Sequence, residues 1–225
     1  MIIAIDGPSA SGKSTLGRML ARALNLLYID TGSMYRAVAL AVMESSFNAS
    51  DDVAVGALAR RIDIDLAGDP DELLVTLGGV DVTNAIREED VTHMASVISV
   101  IPEVRRAMVD RQREMGKRGA VLNGRDIGTV VFPDADVKFF LTAAPEERAQ
   151  RRFDEELERD ASVDYAATLS DLTERDRRDS TRADSPLKIA EDAVIIDSSG
   201  MTIEQVFQKM LAVVRSRTRE LSSPR

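Results

Sequence analysis

The stretch IIAIDGPSASGKSTLGRML, residues 2 to 20, sets an apolar run, a glycine- and serine-rich loop and a helical pattern end to end. The run IIAI at 2–5 has the length and β-branched content of a buried strand. Beyond the loop, Leu16, Met19, Leu20, Ala23 and Leu24 fall at i, i+3, i+4, i+7 and i+8, one apolar stripe of an amphipathic helix. Between them Gly7, Pro8, Ser9, Ala10, Ser11, Gly12, Lys13 and Ser14 match G-x-x-x-x-G-K-[ST] at every fixed position, and Thr15 follows. Such a loop turns successive backbone N–H groups inward around phosphate oxygens. A Cβ at Gly7 or Gly12 would obstruct both the dihedrals and the approach. Lys13 is placed to bridge β- and γ-phosphates, Ser14 to hold Mg²⁺, and the helix to offer its positive N-terminal end. A nucleoside triphosphate with magnesium, held by residues 7–15, is the expectation.

Outward from this unit, the runs LLYI at 26–29, AVL at 120–122, VKFFL at 137–141 and AVII at 193–196 alternate with helical patterns, which predicts an α/β chain with a parallel sheet covered on both faces. Thr202 and Gln205 fit a capping box opening a helix with Ile203, Val206, Phe207, Met210, Leu211 and Val214 on its apolar side. The tail RELSSPR lacks periodicity and is expected to fray. Two segments interrupt the alternation. Residues 62–90 carry short alternating pieces around GDPD and GG, a small antiparallel insertion. Residues 145–182 are charged and helical, with Pro145 suited to a first turn and Glu147 four residues before Arg151.

The chain has 225 residues, no cysteine and the single histidine His93, so thiolate nucleophiles, disulfides and Cys- or His-rich metal sites are excluded. Chemistry must run on Asp, Glu, Lys, Arg, Ser, Thr and backbone. No long uncharged apolar run and no signal-peptide pattern is present, so a soluble cytoplasmic protein is expected. A formal net charge of −9 and a pI near 4.8 argue against binding to nucleic acid or anionic membrane. They do not argue against a small anion. With screening over roughly 8 Å, a local arginine cluster sets the potential in its own cleft. RDRRDSTR at 175–182 is such a cluster.

The loop motif alone serves kinases, hydrolases and switches. A switch needs an N-K-x-D element, which the chain lacks. A hydrolase needs a group to orient water and usually a carboxylate ending an apolar strand, for which Asp30 and Asp197 are the candidates. A kinase acting on a phosphate acceptor needs neither base nor thiol. The second pKa of an alkyl phosphate is about 6, so its oxygen is already ionised at neutral pH. What it needs is cations that hold two repelling phosphates together, each worth about 10³ to 10⁵ in rate when well placed.

Taken together, IAIDGPSASGKST, IDTGSMYR at 29–36, DVTNAIR at 81–87, NGRDIGTVVFPDADVKFFL at 123–141 and ERDRRDSTRADSPL at 174–187 resemble the bacterial cytidylate kinases, within the P-loop nucleoside monophosphate kinases, over nearly the whole chain. The resemblance implies a P-loop NTPase three-layer sandwich with a five-stranded parallel sheet. The core would comprise 1–30, 111–144 and 183–225, with a monophosphate-binding domain at 31–110 and a helical lid at 145–182. It implies transfer of the γ-phosphoryl of ATP to CMP and dCMP, and a monomer is expected. By the family pattern Thr31, Arg36, Arg125 and Arg182 hold the acceptor phosphate, Ser96, Arg105 and Asp126 read the cytosine, and Arg175 and Asp179 meet the sugar. Many relatives carry serine where Thr31 stands; the hydroxyl survives, and the added methyl is placed to shift packing near the phosphate. A kinase for another acceptor, such as UMP or shikimate, and a nucleotide-binding module without turnover are the alternatives, separated by ADP release with a panel of monophosphates.

Several residues have a plainer reading beside the functional one. RDRRDSTR by itself reads as a salt-bridged surface helix. Beside the loop motif, Arg175, Asp179 and Arg182 project from one helical face at about 100° per residue, as a shared ligand requires. Arg178 or Arg177 is free to reach the donor phosphates, and the other to face solvent. Arg148 and Arg152 either approach ATP on closure or lie on a solvated helix above Phe153 and Leu157. Tyr35 reads as packing and His93 as structural. Asp126 either reads the base or caps the GRDIG turn. Base reading predicts that Asp126→Ala loses CMP affinity at nearly unchanged stability, and capping predicts the reverse.

Overall fold

The structure, a computed structural model, describes residues 1–158 and 163–222. Its centre is a five-stranded parallel sheet. Strand β1 (Ile2–Asp6) lies between β6 (Ala120–Gly124) and β7 (Val137–Thr142), with β2 (Leu27–Asp30) outside β6 and β8 (Val194–Asp197) outside β7. Successive side chains of a strand point to opposite faces, so a sheet covered on both sides must be apolar on both. Ile3, Ile5, Val121, Phe139 and Leu141 pack on one side beneath α1 (Lys13–Leu24) and α8 (Ile203–Ser222). Ala4, Ala120 and Leu122 pack on the other, beneath α2 (Thr31–Met43) and α5 (Pro102–Gly116).

The expected strands are those of the sheet, each extended at its C-terminal end by polar residues or glycine. The stripe on α1 is rotated from the expected one. Leu16, Gly17, Leu20 and Ala21 are buried, whereas Ala23 is exposed. Gly17 is the cause: it lies so close to β2 that a Cβ there would fall 2.9 Å from Tyr28 Cε2. The capping box of α8 forms as expected, Thr202 N donating to Gln205 Oε1 at 2.9 Å and Gln205 N to Thr202 Oγ1 at 3.3 Å. The tail departs from expectation, since α8 continues to Ser222; residues 223–225 lie outside the described residues.

Between α2 and α5 lie α3 (Asp52–Arg61), the antiparallel strands β3 (Ile64–Ala67), β4 (Leu74–Leu77) and β5 (Val80–Asp81), a 3₁₀ turn at Ala85–Arg87, and α4 (Glu89–Ile98). The expected antiparallel insertion is therefore present, its second hairpin closed by Gly78 and Gly79. Helices α6 (Pro145–Leu157) and α7 (Tyr165–Thr181) pack on one another, with Phe153 edge-on to Tyr165 at 5.9 Å between ring centroids. Leu157, expected beneath the helix, is 44% exposed. Helix α7 stops at Thr181, and Arg182 follows in extended conformation, so it does not continue the helical face of Arg175 and Asp179.

Candidate active site

In an open parallel sheet, ligands bind in the crevice outside the carboxyl ends of the strands. Here β1, β2 and β6 end there in Asp6, Asp30, Asn123 and Gly124, followed by the phosphate loop, the start of α2 and the GRDIG turn. A cavity of about 1270 Å³ opens over these ends and reaches α6 and α7.

The loop has the backbone its motif requires. Gly7 has φ 148° and Gly12 φ 89°, and a Cβ on Gly7 would lie 2.0 Å from the carbonyl oxygen of Leu141. Ala10 also takes a left-handed conformation, φ 55°, as inward-facing N–H groups demand. Lys13 is buried and its ammonium curls back, donating to the carbonyl of Pro8 and to Ser11 Oγ at 3.2 Å. Burial, followed by the positive charges of Arg125 and Arg175, holds its pKa well below the usual lysine value. Ser14 Oγ accepts from Asn123 Nδ2 at 3.0 Å. Residues 9–15 line the cavity, while Gly7 and Pro8 lie behind it and shape the loop.

On the opposite side, Asp30 caps α2 by accepting from Gly32 N at 3.1 Å, and also accepts from Ser33 Oγ at 2.8 Å and Arg36 Nη2 at 3.3 Å. Burial pushes the Asp30 carboxyl up, but Arg36 and Ser33 outweigh it and hold it below the ordinary range. Asp30, one strand-ending carboxylate expected of a hydrolase, is thus committed to α2 and Arg36. The other, Asp197, is exposed and binds Ser199 N at 2.9 Å. Thr31 Oγ1 donates to the carbonyl of Asn123 at 2.7 Å.

Asp126 is buried and accepts from Arg105 Nη2 at 2.5 Å, with Arg182 Nη2 at 3.6 Å from its other oxygen. It makes no side-chain cap to the following π-turn, Ile127–Val131, which removes the capping alternative. The Arg105 guanidinium lies 5.7 Å from the centroid of the Tyr35 ring, so Tyr35 supports the arginine. Because this ion pair is buried, Asp126→Ala would strand the charge on Arg105 at a cost of about 3–5 kcal/mol. The alanine variant therefore does not separate base reading from stability. Asparagine keeps an acceptor for Arg105, though not the charge, and is informative when read as a ratio of CMP to UMP turnover, from which a loss of stability cancels. Ser96 Oγ, lining the same cavity, is buried without a hydrogen-bond partner among the described residues.

Asp179 joins two arginines, accepting from Arg125 Nε at 2.7 Å and from Arg182 Nη1 at 3.4 Å. Arg125 Nη2 also donates to Ser9 Oγ at 2.7 Å, tying this cluster to the phosphate loop. Arg175 makes no hydrogen bond or ion pair among the described residues. Burial and then the like charge of Arg125 lower its pKa to about 10. Of the remaining arginines, Arg177 is exposed and binds Glu174 at 2.8 Å, the solvated reading. Arg178 lines the cavity at 3.6 Å from Glu174, and Arg152 lines it while bound to Glu156 at 2.5 Å. Arg148 fits neither expectation. It is buried, donating to Ser9 O at 3.1 Å and Asp176 Oδ2 at 2.5 Å, while Asp176 Oδ1 accepts from Ser9 N at 3.1 Å. It braces the loop against α7 and does not line the cavity.

Asp6 escaped the sequence reading, although a carboxylate directly before Gly7 was visible there. Each of its oxygens accepts a backbone N–H at 2.8 Å, from Ile127 and Gly128, which ties the GRDIG turn to the phosphate loop. Burial, more than the nearby Asp126, raises its pKa from 3.8 to about 6 against the pull of those two N–H groups. Native Asp6 therefore holds its proton more tightly than the unfolded chain does. The stability it contributes is full below about pH 3.8 and is lost as pH rises through about 6. The loss amounts to about 3 kcal/mol. Urea unfolding of wild type and Asp6→Asn from pH 4 to 7 is expected to show the difference moving in favour of the variant by about that amount; a pH-independent difference would refute this assignment.

The sheet, loop and arginine-lined cavity define a phosphoryl-transfer enzyme of the P-loop kinase class. A gluconokinase from Sinorhizobium meliloti shares the fold, with TM-score 0.51 and 15% identity over 98% of this chain and 94% of that one. The cytidylate kinase family model matches residues 3–216. Curated cytidylate kinases are similar throughout. That of Desulforamulus reducens is 51% identical over 94% of this chain and 96% of its own length. That of a Geobacter species is 46% identical over 96% and 94%. The chain belongs to the cytidylate kinase family. Among its described residues no helix is long and apolar enough to cross a membrane.

Proposed function

We propose that the chain transfers the γ-phosphoryl of ATP in line to CMP and dCMP, giving CDP and dCDP. The observation that carries this reading is the set of cations facing one cavity with too few anions. Lys13, Arg36, Arg105, Arg125, Arg175 and Arg182 are buried or half-buried in its lining, where Asp30, Asp126 and Asp179 are the carboxylates nearest them. The lining's other carboxylates are exposed, apart from Glu156, which pairs with Arg152, and Lys13 and Arg175 are both held below their ordinary pKa. Two bound phosphates supply the missing negative charge. In this reading residues 7–15 hold the triphosphate, with Arg178 and Arg152 nearby, while Thr31, Arg36, Arg125 and Arg182 hold the acceptor phosphate and Arg175 and Asp179 the sugar. Residues 31–110 form the monophosphate side and 145–182, of which 159–162 lie outside the described residues, the closing lid, which excludes water. Lys13 and the arginines take up charge on the transferring group, and no general base is required.

Mg²⁺ fits the residues present. Among the described residues no three carboxylates or histidines gather to hold an ion, but Ser14 Oγ faces the cavity and the buried Asn123 Oδ1 beside it has no partner. That matches a cation carried largely by substrate phosphates. Bound there, it would supply Lewis-acid charge stabilisation.

Asp126 accepts from the exocyclic amino group of cytosine, and Arg105 donates to its acceptors. Uracil presents a carbonyl to the carboxylate instead, at a penalty of about 1–3 kcal/mol. ADP release with MgATP and limiting CMP or UMP tests the reading. CMP is expected to be favoured, and Asp126→Asn to reduce that preference about tenfold or more. Equal turnover of the two in wild type would overturn it.

A further inference from the structure

Asn123 joins two parts of the site that the sequence leaves unconnected. It lies near the end of β6, 4% exposed. Its amide nitrogen donates to Ser14 Oγ at 3.0 Å, and its main-chain oxygen accepts from Thr31 Oγ1 at 2.7 Å. One residue therefore touches the hydroxyl read as the metal's and the hydroxyl read as the acceptor's. Its Oδ1 is buried and accepts nothing among the described residues. Leaving such an acceptor empty costs about 1–3 kcal/mol, which native structures tolerate where water, an ion or function completes the bond.

The surrounding groups narrow what completes it. In many proteins with this loop an aspartate shares the metal with the loop hydroxyl; in this chain the side chain touching Ser14 is a neutral amide. The neighbouring carboxylates are occupied elsewhere, Asp6 by two backbone N–H groups and Asp30 by Arg36, Ser33 and Gly32. We propose that Asn123 is a positioning residue of the metal site. Its nitrogen fixes the Ser14 hydroxyl, and its free oxygen accepts a hydrogen bond from a water in the ion's hydration shell. An uncharged partner contributes its amide dipole but no net charge, so most of the affinity for the metal comes from the triphosphate. The Thr31 bond holds donor and acceptor sides in register through the same residue. The inference rests on the reading of Ser14 as the residue that holds Mg²⁺.

Mn²⁺ serves as the probe, with the full chain and a non-hydrolysable ATP analogue, adenylyl imidodiphosphate. The quantity read is the factor by which Mn²⁺ tightens binding of the analogue, alongside free Mn²⁺ counted by electron paramagnetic resonance in the absence of nucleotide. Asn123→Ala is expected to lower that factor about tenfold while the metal-free analogue binds as in wild type, a split that a purely structural role does not produce. Asn123→Asp, nearly isosteric and the deciding variant if alanine fails to fold, is expected to bind Mn²⁺ without nucleotide about tenfold more tightly than wild type. No gain in Asn123→Asp overturns the proposal, as does an unchanged factor in folded Asn123→Ala. Ser14→Ala separates the two levels: if it also leaves the factor unchanged, the metal-site reading has failed, whereas a loss there with silent Asn123 variants refutes only the role of Asn123.

Discussion

Lys13→Met is expected to lower phosphoryl transfer on the order of 10³-fold or more while leaving the melting temperature of the nucleotide-free protein at or above that of wild type. The two effects have one cause. The Lys13 ammonium is buried, and its charge is disfavoured by desolvation and then by Arg125 and Arg175. Methionine preserves the length of the side chain and removes the charge, so repulsion in the empty cleft falls even as the hydrogen bonds to Pro8 and Ser11 are lost. In the proposed function ATP brings phosphate oxygens to the same charge, which then becomes indispensable. Thermal unfolding without nucleotide and steady-state kcat check the two halves. A variant that unfolds several degrees earlier, or that retains a tenth of wild-type turnover, contradicts the argument.

Neutralising the arginines that the proposed function sets between the two phosphates is expected to have an effect of similar size. Arg182 is buried against Asp126 and Asp179, with Nη2 lacking a hydrogen bond among the described residues. Each of those carboxylates has a second arginine partner, Arg105 for Asp126 and Arg125 for Asp179. Arg182→Met therefore strands no carboxylate and is expected to fold, yet it removes a cation from the place where, in the proposed function, two anions approach. The fall in kcat/KM for CMP is expected to be on the order of 10³. Arg125 occupies the corresponding position on the loop side, bridging Asp179 and Ser9, and its loss is expected to be as damaging.

The parallel sheet was legible because strands buried on both faces must be apolar at nearly every position, so IIAI and VKFFL announce themselves. The same reasoning explains what was missed. Asp6 and Asn123 are the polar residues just past the apolar runs, and a hydrophobic reading stops before reaching them. Those C-terminal strand ends are where the crevice lies. The rotation of the α1 stripe was hidden because Gly17 has no hydrophobicity to report, and its burial is set by Tyr28 on another element. The two arginines differ in the reach of their partners: Arg148 on α6 is buried by Asp176 and Ser9 from other elements, whereas Arg177 on α7 lies exposed against Glu174 one turn away. Helical phase grouped Arg175 with Asp179, but Arg182 joins them from beyond the helix end, through Asp179.

The central claim is that fixed positive groups, acting without a proton-abstracting base, bring two phosphates together. Single-turnover transfer from MgATP to trace CMP by Arg125→Met tests it most directly. The expected rate is on the order of 10³ to 10⁵ below wild type in a protein with an unchanged circular dichroism spectrum. A folded variant that transfers within tenfold of the wild-type rate would contradict it.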